Sequence, residues 1–424
     1  MKRTFRNKSK GRNNAVEDSK RIFSRMANGS DDAGRRRFCS REKLCLYFLL
    51  AALFLSLLLG IYYVSPCLTS SEFGHDESYY MAMAQRLAEE HVYAYGDSAS
   101  PNAFVPPGLP LYLCLCYCLF GFGPQGLAIM RILQIGYTVL TVFLVYVFGK
   151  QLTGSAWAGV LAAWMIATNL SFYAYTDTFL TENLYFLFMM SFAVLYSHTL
   201  RRDNQGFFAS GLLFCACVMI RSAIAATLPL LLVPIFQKHR EEKAQAFSRA
   251  GLFLLGFLLL ALPWWIRNAV TLHEWIPFCK QKHIVYLGFA EDMSSYPPPE
   301  GIRGHLRLLG ELLRTDLWGT LSWMTAGKFK ILFLQTGTSL NSRLYAVNTI
   351  TIVLLGMPVW IWRLFSKRHC LSSLCFLVYL LVVFCGVPDQ RYGLQFLFYL
   401  SIQAAALLVL VAQRIPIPLK MKTG

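Results

Sequence analysis

The chain has 424 residues, of which 55% are hydrophobic and only 15% charged, a balance that excludes an ordinary soluble enzyme and indicates an integral membrane protein. Its formal net charge of +17 does not call for a nucleic-acid partner. The basic residues gather in the N-terminal tail and in short loops rather than on one folded face.

Residues 1–43 carry the first basic block, including Arg35-Arg36-Arg37 among Gly, Ser and Asn, and read as a disordered cytoplasmic tail before a first span. Residues 44–64 are long enough to cross a bilayer, and the tail is too long for the n-region of a cleaved signal, so this segment anchors as well as targets. Further apolar runs follow at 127–149, 157–172, 179–197, 207–220, 224–236, 252–266, 345–364, 371–387 and 394–412. Of the twelve cysteines, Cys114, Cys116, Cys118, Cys215, Cys217, Cys375 and Cys385 lie inside apolar runs, where they act as small packing residues rather than disulfides or zinc ligands.

The segment 109–122 decides the topology. If it crosses, Lys150, Arg201-Arg202, 238–243 and 363–369 all fall outside, against the positive-inside rule. If it lies as a shallow helix on the outer face, these basic loops return to the cytoplasm. The second arrangement is expected: an all-α membrane protein of about ten transmembrane helices in the plasma membrane, both termini cytoplasmic, with outer juxtamembrane helices. The polytopic domain then covers 44–424, with a first outer loop at 65–125 and a long outer loop at 267–343.

That first loop opens on Asp76 and Glu77, at the start of a run whose helical face carries Tyr80, Met83, Ala84 and Leu87. Acids in a first helical turn meet unpaired N–H groups and the positive end of the dipole, so they stay ionised and are available as bases. Tyr79 and Tyr80 follow, with ring faces and hydroxyls suited to a sugar. The loop closes on Phe104-Val105-Pro106-Pro107-Gly108-Leu109-Pro110, a rigid turn in which Gly108 is expected to permit a sharp bend.

The same topology brings other polar residues to the outer side. Tyr173-Ala174-Tyr175-Thr176-Asp177 precedes Thr181-Glu182-Asn183, and Glu182 enters an apolar helix, where an ionisable group needs a partner or a task. Arg221 and Arg267 stand at outer boundaries, either as anchors or as guanidinium forks for a lipid phosphate. Arg391 beside Asp389 is a local ion pair or a second phosphate contact, and Tyr392 adjoins it. In the long outer loop, 303–333 reads as an amphipathic cover on the bilayer surface, with His273, Lys280, Lys282, His283 and Trp275, Trp318 and Trp323 nearby. No phosphate-cradling glycine loop and no HExxH is present, and the acids could hold a divalent cation although no dedicated ligand set is visible.

An Asp-Glu pair in a first outer loop, a downstream Pro-Pro turn, Arg131 opening the next span, Thr181-Glu182 heading a later helix, and Leu262-Pro263-Trp264-Trp265-Ile266-Arg267-Asn268 together resemble the polytopic GT-C glycosyltransferases. The nearest branches are the lipid A aminoarabinose transferases and the dolichyl-phosphate-mannose protein mannosyltransferases. The likeness covers 44–268 and returns at Arg391-Tyr392. It implies transfer of a sugar, with inversion, from a polyprenyl-phosphate carrier to a lipid, protein or polysaccharide hydroxyl on the extracytoplasmic face. By likeness of position Asp76 is the base, Glu77 its neighbour, Glu182 a second cavity acid and Arg267 a phosphate ligand. The aminoarabinose branch has a lysine before its proline turn where this chain has Phe104-Val105, so aminoarabinose specificity is not implied, nor is a separate acceptor-binding module. A transporter or flippase of a polar lipid is the rival reading, and it would call for broken helices or internal repeats.

Overall fold

The computed structural model describes residues 42–96, 100–202, 206–280, 285, 287–291, 293, 297, 299–334, 340–366 and 369–414. The expected basic tail, but for residues 42 and 43, lies outside them, as do Lys282 and His283. Among the described residues all regular structure is helical. By internal contacts the chain divides after Ala51. Before that point the described residues form helical turns with Leu44, Leu46, Tyr47 and Phe48 exposed. Everything below concerns the unit from Ala52 onward.

Six helices are long and apolar enough to cross a membrane: α1 (Glu42–Cys67), α4 (Pro124–Thr153), α7 (Thr181–Arg202), α10 (Lys243–Leu272), α13 (Leu340–Leu364, apolar from Arg343) and α15 (Gln390–Arg414). Shorter apolar helices are α3 (Gly108–Phe120), α5 (Ala156–Ala167), α8 (Phe207–Ile220), α9 (Ser222–Lys238) and α14 (Cys370–Cys385). Between them lie α2 (His75–Glu90), the one-turn α6 (Leu170–Tyr173), α11 (Gly301–Thr315) and α12 (Leu317–Ser322). Each expected apolar run has become one of the apolar helices, and 109–122 has become α3.

At 30 residues α4 is roughly 45 Å long, more than a bilayer core of about 30 Å requires. Only its first half is paired with α3. Tyr112 meets Tyr137 through their hydroxyls at 3.2 Å, while the far end of α3 closes on the first turn of α4, where a Cβ on Gly126 would lie 2.2 Å from the Gly121 carbonyl oxygen. Thus α3 turns back beside the outer part of α4 and leaves Lys150 to be reached by α4 alone.

The core is centred on α15, whose residues 394–398 and 400–406 are buried and which packs against α5, α13 and the segment 330–334. Close helix crossings rest on glycine. A Cβ on Gly211 of α8 would sit 1.9 Å from the Phe253 carbonyl oxygen of α10, and one on Gly256 would sit 2.1 Å from that of Phe208. Without a hydrophobic drive between helices in lipid, such contacts are what packing has to work with.

Four local expectations change. The run 157–172 is two helices, because Asn169 breaks it and caps α6 by accepting from Phe172 N at 3.2 Å. The run 252–266 extends to Leu272, with Pro263 inside the helix. The cover 303–333 is not one helix: Asp316 interrupts it and caps α12 through Gly319 N at 2.9 Å, and two wide π turns, Trp323–Gly327 and Lys330–Leu334, follow. Gly108 makes no left-handed bend; it lets α3 touch α8, since a Cβ there would lie 2.8 Å from the Met219 carbonyl oxygen and from the Ile220 side chain. Between the π turns, Lys328 is wholly buried and donates to the carbonyls of Phe384 and, at 3.0 Å, Gly386, clamping the cover to the end of α14.

Candidate active site

The two adjacent acids at the start of α2 have separate tasks. Glu77 is buried; its Oε2 accepts from Gly74 N at 3.1 Å and its Oε1 from Phe179 N at 2.8 Å. It therefore closes the first turn of its own helix and ties that turn to the chain entering α7. Burial pushes its carboxyl above the usual range, while these two N–H groups draw it partly back. Asp76 has no such anchorage. Its side chain is 45% exposed and faces a cavity of about 710 Å³. Successive helical residues point about 100° apart, and that rotation separates a structural carboxylate from an available one.

Across this cavity Arg391, in the first turn of α15, donates from Nη1 to Asp76 Oδ2 at 3.2 Å. Its Nε lies 3.4 Å from Asp389 Oδ2, its backbone N donates to Asp389 Oδ1 at 2.9 Å, and Nη2 donates to the Tyr392 hydroxyl at 3.3 Å. Asp389 thereby caps α15 and steadies the guanidinium between two carboxylates.

Deeper in the cavity, Arg221 occupies the extended residue between α8 and α9. Its Nε and Nη2 donate to Thr181 Oγ1 at 3.0 and 2.9 Å, Nη2 also donates to Glu182 Oε1, and Nη1 donates to Gln395 Oε1 at 3.4 Å. The rings of Tyr185 and Tyr392 lie 5.5 and 5.2 Å from the guanidinium carbon. Gln395 Oε1 accepts in addition from the Tyr379 hydroxyl at 2.6 Å, which itself accepts from Tyr185 at 2.7 Å. Glu182, 1% exposed, is thus the counter-ion of Arg221 and lies behind the cavity wall; Thr181 and Arg221 form the wall. A buried charge held this way satisfies the requirement for partners.

The aromatic side of the cavity consists of Tyr80, Tyr95, Phe104 and Tyr392. Tyr95 stacks on Phe104 with centroids 5.2 Å apart and meets the edge of Tyr80 at 5.5 Å. Burial first, then the charge of Asp76, pushes the Tyr95 hydroxyl up to about 12, and burial raises that of Tyr80 as well. Both phenols stay protonated and can donate to a ligand. Flat ring faces beside hydroxyls and carboxylates suit a sugar.

Two expected site residues stand elsewhere. Asp177 does not line the cavity; its carbonyl accepts from Arg131 Nε at 3.1 Å, its Oδ2 lies 3.7 Å from Cys67 Sγ, and burial raises its carboxyl. Arg131, itself buried, also donates to the carbonyls of Leu68 at 3.1 Å and Ser70 at 2.8 Å and stacks on Phe179, so it braces the residue that Glu77 grips. Arg267 donates to the carbonyls of Tyr93 at 3.0 Å and Asn102 at 2.9 Å and to Asn268 Oδ1 at 2.9 Å, between the rings of Tyr93 and Trp264. It lines a second, apolar cavity. Thr181, Tyr95, Tyr379, Asp389 and Gln395 were not singled out as site residues by sequence; for Tyr379 and Gln395 the available signal is a polar side chain within an apolar span. Among the described residues, no three His, Cys, Asp or Glu side chains converge on a metal-sized point.

A family model described as dolichyl-phosphate-mannose-protein mannosyltransferase matches residues 105–266. That stretch includes Arg131, Glu182 and Arg221 but neither Asp76 nor Arg391. Among solved structures, the apo oligosaccharyltransferase of Archaeoglobus fulgidus is 13% identical, with 87% of this chain and 51% of that one covered and a TM-score of 0.48. Oligosaccharyltransferase AglB from the same organism, in complex with an inhibitory peptide and a dolichol-phosphate, is 14% identical, with 88% and 51% covered and a TM-score of 0.47. ArnT from Cupriavidus metallidurans, bound to undecaprenyl phosphate, is 12% identical, with 87% and 60% covered and a TM-score of 0.49. The chain spans about half the length of the archaeal structures it matches. No curated protein sequence matches it. The likeness to GT-C glycosyltransferases expected from the motifs is met by the family match, in an all-helical chain with several apolar helices of membrane-crossing length.

Proposed function

We propose that the chain transfers a sugar from a polyprenyl-phosphate carrier to an acceptor hydroxyl. The observation that carries this is the pairing of Asp76 with Arg391 inside one aromatic-walled cavity, at 3.2 Å. The two groups have the properties the reaction needs. Asp76 takes the proton of the incoming hydroxyl, whose oxygen attacks the anomeric carbon from the face opposite the phosphate. The carbon–oxygen bond to the phosphate breaks, and its electron pair leaves on the carrier phosphate. Arg391, with a guanidinium fork exposed to the cavity, holds that developing charge. Attack opposite the leaving group inverts the anomeric centre.

General-base assistance contributes about 10²- to 10⁴-fold to such a step. Arg221 lends a second positive centre, partly spent on Glu182. Glu77 acts as a positioning residue: it fixes the first turn of α2, from which Asp76 projects.

Sidedness follows from charge. The starts of α7 and α15 and the ends of α8 and α14 all meet at this cavity, while Lys150, Arg201-Arg202, Lys238 and Arg363 lie at the opposite ends of their helices. The positive-inside rule puts those ends in the cytoplasm and the cavity on the extracytoplasmic face of the plasma membrane.

The test incubates the purified full chain with radiolabelled polyprenyl-phosphate sugars and a membrane extract. Release of free carrier phosphate that depends on Asp76 is expected. Movement of the intact carrier lipid across the bilayer without bond cleavage would make the chain a flippase instead.

A further inference from the structure

Beside the acid cavity, and separated from it by a thin wall, is a second cavity of about 540 Å³. We infer that it is a slot for a hydrocarbon chain of the sugar acceptor, so that the acceptor is itself a lipid; this rests on the transferase proposed above.

The slot lies among α3, α7, α8 and α10, with Leu184, Phe188, Ala216, Met219, Leu260 and Pro263 along its length. Its lining on α10 extends from Leu260 to Thr271, eleven residues or roughly 16 Å along the helix axis. Polar groups occur at one end, where His91, Arg267 and Thr271 stand. An apolar shaft with a polar mouth matches an amphiphile whose head group stays at the surface while one chain descends. A peptide or polysaccharide has no group that needs such a depth of apolar wall.

The wall between the cavities is the proline turn. Pro106 lines the acid cavity, Pro107 lines the slot, and Ile220 faces both. Gly108 seals the contact, since a Cβ there would lie 2.8 Å from Met219 and Ile220 atoms. Each cavity has its own opening on an apolar flank. Leu111 and Leu260 line the slot and are exposed, whereas the acid cavity reaches the surface through Val382 of α14, which both lines it and is exposed. A carrier with its phosphate at Arg391 has an apolar way out past Ala226, Val382 and Val383. The slot on the other side of the wall is therefore left to the second reactant, whose head group reaches Asp76 along α2, from Leu87 and His91 at the slot mouth past Tyr80.

Two photoreactive probes test this on the full chain in nanodiscs: phosphatidylglycerol with a diazirine midway along one acyl chain, and undecaprenyl phosphate with a diazirine in its tail. The acyl probe is expected to label 184–188, 216–219 and 260–263, and the polyprenyl probe 223–226 and 382–387. Leu260→Trp and, separately, Ala216→Phe each displace about two methylenes from the slot, lowering acyl labelling there about tenfold. Undiminished labelling in both variants marks surface lipid and overturns the slot; so does the polyprenyl probe in place of the acyl probe. In the radiolabelled-sugar assay the label is expected in the organic-extractable fraction, and its recovery in protein or polysaccharide also overturns the inference. Should no polyprenyl sugar release its carrier phosphate, the transferase itself is wrong and the acceptor assignment falls with it, whatever the probes label.

Discussion

Arg391 reaches Asp76 across 315 residues of sequence, Nη1 to Oδ2 at 3.2 Å, and joins the first turn of α15 to the first turn of α2. The partners are 25% and 45% exposed, so the pair contributes little to stability, on the order of 0–1 kcal/mol. Its value is to place a cation and a base in the same cavity.

Asp76→Asn keeps the shape and removes the base. Transfer should fall at least about 100-fold, with membrane insertion and melting temperature almost unchanged. Arg391→Met should lower turnover with a comparably small thermal effect. A variant that unfolds, or one that keeps full turnover, would contradict the role given to its residue; initial rates beside a melting curve decide it.

The Arg221–Glu182 pair should behave in the opposite way. Both groups are buried, so Glu182→Leu alone leaves an uncompensated guanidinium and should cost about 3–5 kcal/mol. The double variant Glu182→Leu with Arg221→Met should be much less destabilised than the two single losses added together. Thermal unfolding of the four proteins in one detergent measures the difference.

Lys328 predicts a pH dependence. Burial lowers its ammonium from 10.5 to about 8 in the folded chain. Between those values the unfolded chain binds a proton that the folded one does not, so stability rises with pH from about 8 toward 10.5 and is lost as pH falls back. The contribution is roughly 3 kcal/mol at full extent. Lys328→Met should flatten the slope of melting temperature against pH in that window; an unchanged slope would show that Lys328 is not its source.

The α8–α10 crossing should tolerate nothing larger than glycine. Gly211→Leu and Gly256→Leu push a side chain into a carbonyl that a bare Cβ would already approach to 1.9 or 2.1 Å. Each should lower the melting temperature sharply, whereas Gly136→Leu on α4, with open space at its Cβ, should be close to neutral. Equal effects at all three positions would show that the crossing is not the sensitive contact.

Much of this protein is written locally. Apolar runs longer than a membrane core, basic residues between them, and a pair of acids at the start of an amphipathic turn are properties of neighbours in sequence, and the helices follow them. Asn169 and Asp316 mark breaks that are also local, through their side-chain caps, and were legible in principle.

What neighbours could not specify is which charge meets which. Asp76 and Glu77 are chemically alike and adjacent, yet one closes a helix turn against Phe179 while the other faces a cavity, because packing of α7 against α2 takes up one helical direction and leaves the next open. Arg267 and Arg391 are equally plausible phosphate ligands by composition. Only the packed fold commits the donors of Arg267 to the carbonyls of Tyr93 and Asn102 and leaves Arg391 at the cavity. Local periodicity sets where a side chain leaves its helix; the partner it finds there, and hence its chemistry, is set by contacts between segments hundreds of residues apart.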